Sequence, residues 1–332
     1  MIEPVCGGRS TVACTASGAT IGGSNFLRPI LTSRVILLPP EFTRAIAEDS
    51  LKFQAFIFNW PGKKQHATQL ETMFRGLCDV AVINSDDDLR VRHPHWHHLG
   101  NGAYFTEQWN AALRRFDADI FVHIQADIWP IHLGRMFAEC LSLMRNDGVG
   151  IYAPNVNFNP HVFRRQSLVR VRDGVYEVPA TDCSFWAISA DVLQNVPPVD
   201  PGINRLGWGV EYLVGAVARR RGLKIVRDYR FTAGHVKSRG YDSAQASTQW
   251  NQFRKSVDPT LLDEMDRLIE QRDRLVVNNS SKNLGLRATK ALNNRLSRGA
   301  LILQRRLQAI FTPLLQLDKD PARTVGDIRN PS

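Results

Sequence analysis

The sequence predicts an α/β fold in which a mainly parallel, mixed sheet is flanked by helices and followed by a C-terminal helical extension. Short apolar runs typical of strands alternate with helical runs between about residues 55 and 155, the order that strand-helix-strand units require. Polar residues follow those strands, and open sheets of this kind bind ligands at the carboxyl ends of their strands. With 332 residues and 43% hydrophobic content, the chain can bury such a core.

Hydrophobic periodicity predicts the strands and helices of the first half of the chain. The pattern predicts strands at 53–60, 79–84, 120–124 and 149–153, and helices at 64–77, 106–116 and 131–145. Pro130 is expected at the first position of the third helix, where its missing N–H costs nothing. The alternation of the two periods predicts helices on both faces of the sheet.

The second half is less regular. Strand-like segments occur at 175–179, 183–188 and 224–227, and a helix is expected from Gly209 through Arg221. From residue 259 onward the pattern is helical. Residues 1–30 are rich in glycine, serine, threonine and alanine without periodicity, which predicts a flexible leader.

Charge and cysteine content restrict the possible partners and the cellular compartment of the protein. The net charge is +10, and residues 284–308 carry six basic residues and no acid, so nucleic acid, anionic lipid and phosphorylated ligands are all compatible partners. Five scattered cysteines without a CxxC pair indicate a reducing compartment. No apolar run is long enough to span a bilayer, and no signal peptide is expected.

Three polar residues, Asn59, Asn84 and Asp127, each lie at the carboxyl end of a predicted strand. A carboxylate at such a strand end is a ready ligand for Mg²⁺ or Mn²⁺, which keep part of their coordination shell for substrate phosphates. The alternative is that Asp127 caps the helix expected near Pro130. The local sequence leaves both interpretations open.

Several motifs share order and spacing with one enzyme family. DIFVHIQADI, at 119–128, resembles the strand that ends in the Asp-any-Asp motif of GT-A nucleotide-sugar-dependent glycosyltransferases. GWGVEY, at 207–212, is similar to the Trp-Gly-x-Glu-Asp segment of inverting members such as β-1,4-galactosyltransferases, and FTAGHV, at 231–236, to the segment with a metal-binding histidine. The resemblance covers about residues 52–240.

The chain departs from the family pattern at three positions. Gln125 replaces the first aspartate of the Asp-any-Asp motif, and Tyr212 replaces the second acid of the Glu-Asp pair. Trp109 stands where the family often has the arginine of an Arg-Asn pair, so that Asn110 alone remains. An amide at 125 still hydrogen-bonds ribose hydroxyls but brings no charge to a cation.

The resemblance implies a GT-A fold and transfer of a sugar from a nucleoside-diphosphate donor to a hydroxyl of a glycan or lipid-linked acceptor, with inversion. It implies Glu211 as catalytic base, a divalent cation (Mn²⁺ or Mg²⁺) held by Asp127 and His235, and acceptor or sugar contacts from Asp182 and Trp208. The donor is expected to contact the strand ends through Asn59, Asn84, Asp86, Asn110, Gln125 and Asp127.

The same resemblance divides the chain. A catalytic domain is expected at 31–258, with a nucleotide-binding half at 52–155 and an acceptor half at 156–258, followed by a basic helical extension at 259–332. Within that extension, residues 284–310 place leucines on one helical stripe and arginines opposite it. Such a helix binds an anionic membrane surface or packs its leucines on the catalytic domain. The expected location is cytoplasmic or peripheral on the inner face of a membrane.

Other functions stay open from the sequence. A retaining glycosyltransferase or a nucleotidyltransferase could use a similar sheet, and the changes at Gln125 and Tyr212 are compatible with an inactive glycan-binding relative. Nucleic acid is not expected as a partner, because residues 284–308 contain no aromatic side chain on which bases could stack.

Overall fold

The computed structural model of the chain describes residues 51–88, 93, 95–157, 159–235 and 242–276. The predicted leader at 1–30 and the basic helix at 284–310 lie outside these residues. The strands are β1 Phe53–Asn59, β2 Asp79–Asn84, β3 His97–His98, β4 Ile120–Gln125, β5 Ile128–Pro130, β6 Val149–Val156, β7 Arg170–Arg172, β8 Val175–Glu177, β9 Phe185–Ser189 and β10 Lys224–His235. The helices are α1 Lys64–Arg75, α2 Phe105–Leu113, α3 Leu133–Asn146, α4 Ala190–Leu193, α5 Val210–Arg220, α6 Ser243–Ser256 and α7 Pro259–Leu275.

All ten strands belong to one mixed sheet. Their order is β3-β2-β1-β4-β9-β6-β10-β8-β7, and β5 pairs with the end of β10. β1 lies parallel to β2 and β4, β6 lies parallel to β10, and β9 runs antiparallel between β4 and β6. The predicted fold class, an α/β fold with a mainly parallel sheet flanked by helices, is confirmed.

The sheet separates two hydrophobic cores. Alternate residues of β1 enter opposite cores: Phe56 and Phe58 pack on the side of α2 and α5, whereas Ala55 and Ile57 pack on the side of α1 and α3. Because successive side chains of a strand point to opposite faces, a strand covered on both faces must be apolar throughout. This explains why the central strands show continuous apolar runs rather than alternation.

The segment after β4 differs from the prediction. Pro130 ends the short strand β5, and α3 begins only at Leu133, after His132 in a left-handed conformation with φ 58°. The expected helical position of Pro130 is therefore wrong. β5 forms because it pairs with Ala233–His235, a partner about a hundred residues away that local periodicity cannot reveal. The N-cap of α3 is His132, so Asp127 does not cap this helix.

Two helices after the sheet hold the start of α5. The carboxylate of Asp258 caps α7 by accepting from Thr260 N at 2.9 Å, and Pro259 occupies its first turn. The apolar side of α7 then buries Met265 and Leu268 in the core that contains α5. From α6, the ring of Trp250 lies directly against Gly209, the residue before α5.

Within the described residues, no helix is both long enough and apolar enough to cross a membrane.

Candidate functional site

Three parallel strands end side by side at one edge of the sheet with polar side chains. Asn59 at the end of β1 is level with Asn84 at the end of β2, and Phe58 is level with Gln125 at the end of β4. Ala126 N then donates to Phe58 O at 2.9 Å, which keeps the chain after β4 against β1. The predicted strand-end residues therefore form one continuous row.

The β1–β2 part of this row is an internally bonded cluster. Asn59 Nδ2 donates to Asn84 Oδ1 at 2.6 Å, and Asn84 Nδ2 donates to Asp86 O at 2.9 Å. The Asp86 carboxylate accepts from Gly62 N at 3.2 Å and from Asp88 N at 3.0 Å. Asn59, Asn84 and Asp86, which are predicted to contact the nucleotide-sugar donor, are all buried. Their bonds fix the two loops that border the edge.

Asp127 and His235 meet where β5 pairs with β10. Because Ile128 is level with His235 in that pairing, Asp127 reaches the imidazole, and His235 Nε2 lies 3.4 Å from Asp127 Oδ2. The backbone N–H of His235 donates to Asn157 Oδ1 at the end of β6. Asp127 Oδ1 and His235 Nδ1 are buried and have no hydrogen-bond partner.

The protonation of His235 reflects its surroundings. Burial lowers its pKa, but the hydrogen bond to Asp127 and the charges of Asp127 and Asp182 outweigh burial, so the net effect is a raised pKa. The charge of Lys63, which precedes α1, acts in the opposite direction. Lys63 follows the end of β1, where its backbone N–H donates to Trp60 O at 3.1 Å, so it belongs to the same edge of the sheet.

The Asp127–His235 pair fits a divalent cation. A buried carboxylate oxygen without a donor is costly, and a cation would satisfy it. Carboxylate oxygen and imidazole nitrogen are both suitable ligands for Mn²⁺. No group of three or more His, Cys, Asp or Glu side chains in the described part of the chain could hold a metal. The two residues would therefore supply part of a coordination shell, with the remainder left for phosphate oxygens and water.

Asp182 lies beside β4, in the segment that leads into β9. Gln125 N donates to Ser184 O at 2.9 Å, and Ser184 N donates to Asp182 Oδ1 at 2.9 Å. The charge of Asp182 raises the pKa of His235 and also that of Glu211. One carboxylate thus acts electrostatically on both His235 and the predicted base.

Glu211 occupies the first turn of α5. Burial raises the pKa of its carboxyl from 4.5 to about 7. Its own N–H and that of Gly209 favour ionisation, as does the charge of Arg272, whereas the charge of Asp182 opposes it. Gly209 N lies 3.1 Å from Glu211 Oε2. A carboxyl group with a pKa near neutrality is suited to accept a proton during catalysis.

The segment before Glu211 requires glycine. Gly207 and Gly209 have φ values of 75° and 88°, a backbone conformation that other residues adopt at a cost. A Cβ at Gly207 would strike the ring of Phe105, and one at Gly209 would strike Trp250. Between them, Trp208 is half-buried, and its carbonyl accepts from Asn204 Nδ2 at 2.8 Å. The backbone on either side of Trp208 therefore packs directly against two aromatic rings.

Asn110 stands apart from the other predicted residues. Its Nδ2 donates to Val199 O at 2.8 Å, which ties α2 to the loop before α5. It also lines a groove of about 380 Å³ together with Leu99, Arg114 and Pro201. The structure gives it no contact with Asp127 or His235.

Sequence reasoning missed three residues at this site. Lys63 gave no signal, because a lysine near a helix start is common. Asn157 follows β6 and obeys the same strand-end rule as Asn59, but the strand was expected to end at 153 and instead runs to Val156. Arg227, buried in β10, looks in sequence like an exposed strand residue.

The sequence matches no protein-family model and no curated protein sequence. Among solved structures, it is similar to GalNAc-T7 with UDP, GalNAc and Mn²⁺ at 11% identity and a TM-score of 0.48, covering 68% of this chain. This chain spans about half of that one, 49%. S. aureus TarS 1–349 in complex with UDP-GlcNAc gives 10% identity and a TM-score of 0.48 over 69% of this chain and 74% of that one.

Glucosyl-3-phosphoglycerate synthase from Mycobacterium tuberculosis, in complex with Mn²⁺, UDP and phosphoglyceric acid, gives 16% identity and a TM-score of 0.45. The similarity covers 68% of this chain and 82% of that chain. These partial overlaps leave the chemistry of the site to be argued from its own residues.

Proposed function

We propose that this chain is a GT-A-type glycosyltransferase that moves a sugar from a nucleoside-diphosphate donor to a hydroxyl acceptor with inversion. The proposal depends on the electrostatic effect of Asp182 on two other residues. Its charge acts on His235, which contacts Asp127, and on Glu211 at the start of α5. We infer from this shared effect that the cation-binding pair and the carboxyl group of Glu211, whose pKa is raised to about 7, serve one site.

Asp127, His235 and Lys63 form the donor side. Asp127 and His235 would hold a divalent cation, which when bound offsets the negative charge of the donor diphosphate. Lys63 adds a positive charge that is already in place before the reaction begins. Preorganised positive charge of this kind stabilises the leaving nucleoside diphosphate as its charge develops. The row from Asn59 to Gln125 borders the space for the nucleoside.

Glu211 is the base on the acceptor side. Its carboxylate takes the proton from the acceptor hydroxyl while that oxygen attacks the anomeric carbon. The bond from the anomeric carbon to the phosphate oxygen breaks, and its electron pair leaves with the nucleoside diphosphate. Asp182, whose charge acts on Glu211, and the half-buried Trp208, three residues before Glu211, would orient the acceptor.

A thermal-shift panel of nucleoside diphosphates and their sugars, with and without Mn²⁺, tests this proposal. We expect at least one nucleoside diphosphate to raise the midpoint of unfolding only when Mn²⁺ is present, because ligand binding to the folded state stabilises it. The stabilising donor is then incubated with alcohol acceptors, and release of the nucleoside diphosphate is measured. A panel in which no nucleotide stabilises the protein would reject the proposal.

The anomeric configuration of the product separates the inverting reaction from a retaining one. Inversion requires a base, which is the role given to Glu211. Retention with Glu211→Gln still active would assign Glu211 to binding instead. Transfer of a nucleotidyl group rather than a sugar would appear in the same product analysis.

Contact with an anionic membrane surface remains part of the proposal. It depends on the basic sequence at 284–310, where a lipid-linked acceptor and the enzyme would meet. Cosedimentation of the full chain with vesicles tests it, and binding that does not change with anionic lipid content would remove it.

A further inference from the structure

Arg227 carries a buried positive charge beside the candidate site. Its side chain is 1% exposed, and its guanidinium donates to His161 O at 2.6 Å and to Ala180 O at 3.4 Å. Its Nε has no hydrogen-bond partner. Removing such a charge from water costs several kcal/mol unless the protein compensates it. A charge retained at this cost calls for an explanation.

The two carbonyls that Arg227 binds belong to different segments. His161 lies in the segment after β6, whereas Ala180 lies in the segment that joins β8 to β9 and carries Asp182. Burial lowers the pKa of Arg227, and the charges of Tyr229 and then of Asp182 act against burial. Asp182 in turn acts on Glu211. Arg227 therefore cross-links β10 to both segments, and the ring of His161 lies 6.2 Å from that of Tyr212, the residue after Glu211.

The next arginine of the same strand behaves differently. Arg230 is partly exposed and bonds to carboxylates, with Asp228 Oδ2 at 2.8 Å and Glu139 Oε2 at 3.0 Å from its Nη2. These partners lie on β10 itself and on α3. Arg230 thus provides a matched comparison: an arginine of β10 with strong local bonds and no link to the candidate site.

We propose that Arg227 is a positioning residue for the acceptor: by bridging the carbonyls of His161 and Ala180, it holds Asp182 beside Glu211. This inference rests on the proposed function. Arginine is suited to the role because its planar guanidinium presents several donors in fixed directions, whereas lysine offers a single point charge on a flexible stem. An apolar residue would fill the space and leave both carbonyls without their donor.

Loss of the Arg227 bridge should therefore impair use of the acceptor but not binding of the nucleotide. The Asp127–His235 pair is positioned by the pairing of β5 with the end of β10, so its backbone geometry does not depend on the bridge. We expect Arg227→Met to lower kcat/KM for the acceptor about 100-fold, the loss that a misplacement of about 1 Å produces. The Kd of the nucleoside diphosphate with Mn²⁺ should change by less than about threefold. Arg227→Lys should fall between Arg227→Met and the wild type.

The test compares Arg227→Met, Arg227→Lys and Arg230→Met as full-length chains. Hydrogen exchange is followed by mass spectrometry, and acceptor kinetics and nucleotide calorimetry are run on the same preparations. Both Arg227 variants should exchange faster than the wild type at 159–163 and 178–184, whereas Arg230→Met should not. Acceptor kcat/KM should fall in the Arg227 variants alone.

Two results would overturn the inference. One is unchanged exchange in both segments of Arg227→Lys. The other is a loss of nucleotide affinity as large as the loss of acceptor kcat/KM, which would indicate general disruption. The exchange measurement needs no substrate, so it still decides the role of Arg227 if the wild type transfers no sugar. A wild type that transfers no sugar would reject the proposed function alone.

Discussion

His235 Nε2 lies 3.4 Å from Asp127 Oδ2, at the point where the last residues of β10 pair with β5. The contact joins a residue at the end of the central strand β4 to one more than a hundred positions later. It leaves Asp127 Oδ1 buried and without a partner. The unpartnered oxygen is the one available to a cation, while the other oxygen of Asp127 faces the imidazole of His235.

Removing the carboxylate of this pair should abolish the effect of Mn²⁺ on nucleotide binding. In Asp127→Asn, an amide replaces a charged ligand, and we expect the Kd of a nucleoside diphosphate in Mn²⁺ to rise at least about tenfold. Calorimetric titration with and without Mn²⁺ measures it. Asp119→Asn is the matched control, because Asp119 lies just before the opposite end of β4 and accepts from Lys52 N at 2.7 Å. Equal losses in both variants would contradict the assignment.

The pKa of Glu211 predicts how stability depends on pH. Its pKa is raised on folding from 4.5 to about 7, so the folded state binds the proton more tightly than the unfolded state. Stability from this group is complete below pH 4.5 and falls as the pH rises through 7. The full loss is on the order of 3 kcal/mol, from 1.36 kcal/mol per pKa unit.

Glu211→Gln should remove this pH dependence, because its amide does not ionise. At pH 8 the variant should unfold at a higher denaturant concentration than the wild type, and at about pH 4 the two should agree. Denaturant titrations at both pH values measure the difference. A wild type as stable at pH 8 as Glu211→Gln would show that the carboxyl group does not have a raised pKa.

A comparison of two glycines tests the packing before Glu211. Gly62 and Gly209 both have positive φ, but a Cβ at Gly62 meets nothing within 4 Å, whereas one at Gly209 strikes Trp250. Gly62→Ala should lower the free energy of unfolding by about 1–2 kcal/mol from backbone strain alone. Gly209→Ala adds overpacking and should cost about 3 kcal/mol or more. Equal costs would mean that the ring of Trp250 moves aside freely.

Structural features that are determined by residues close together in the sequence could be predicted. The strands β1, β2 and β4 and the helices α1 and α5 follow from apolar periodicity, and the row of polar strand ends follows from their parallel order. The glycines on either side of Trp208 indicated a close backbone approach, which Phe105 and Trp250 supply.

Features that depend on distant pairing could not be predicted. β5 exists only because β10 extends to His235, and this pairing moved the start of α3 away from Pro130. The bond from Asn110 to Val199 O joins residues far apart in sequence, so its local setting could not reveal it. The burial of Arg227 depends on loops from two other parts of the chain.

Glu211→Gln offers the most direct test of the central claim, with nucleotide binding and sugar transfer measured on one preparation. We expect the donor Kd in Mn²⁺ to stay within about threefold of the wild type, while kcat for transfer falls about 100-fold to 10,000-fold, the usual contribution of a general base. Transfer that persists at the wild-type rate, or donor affinity that is lost together with transfer, would contradict the claim that Glu211 is the base of this site.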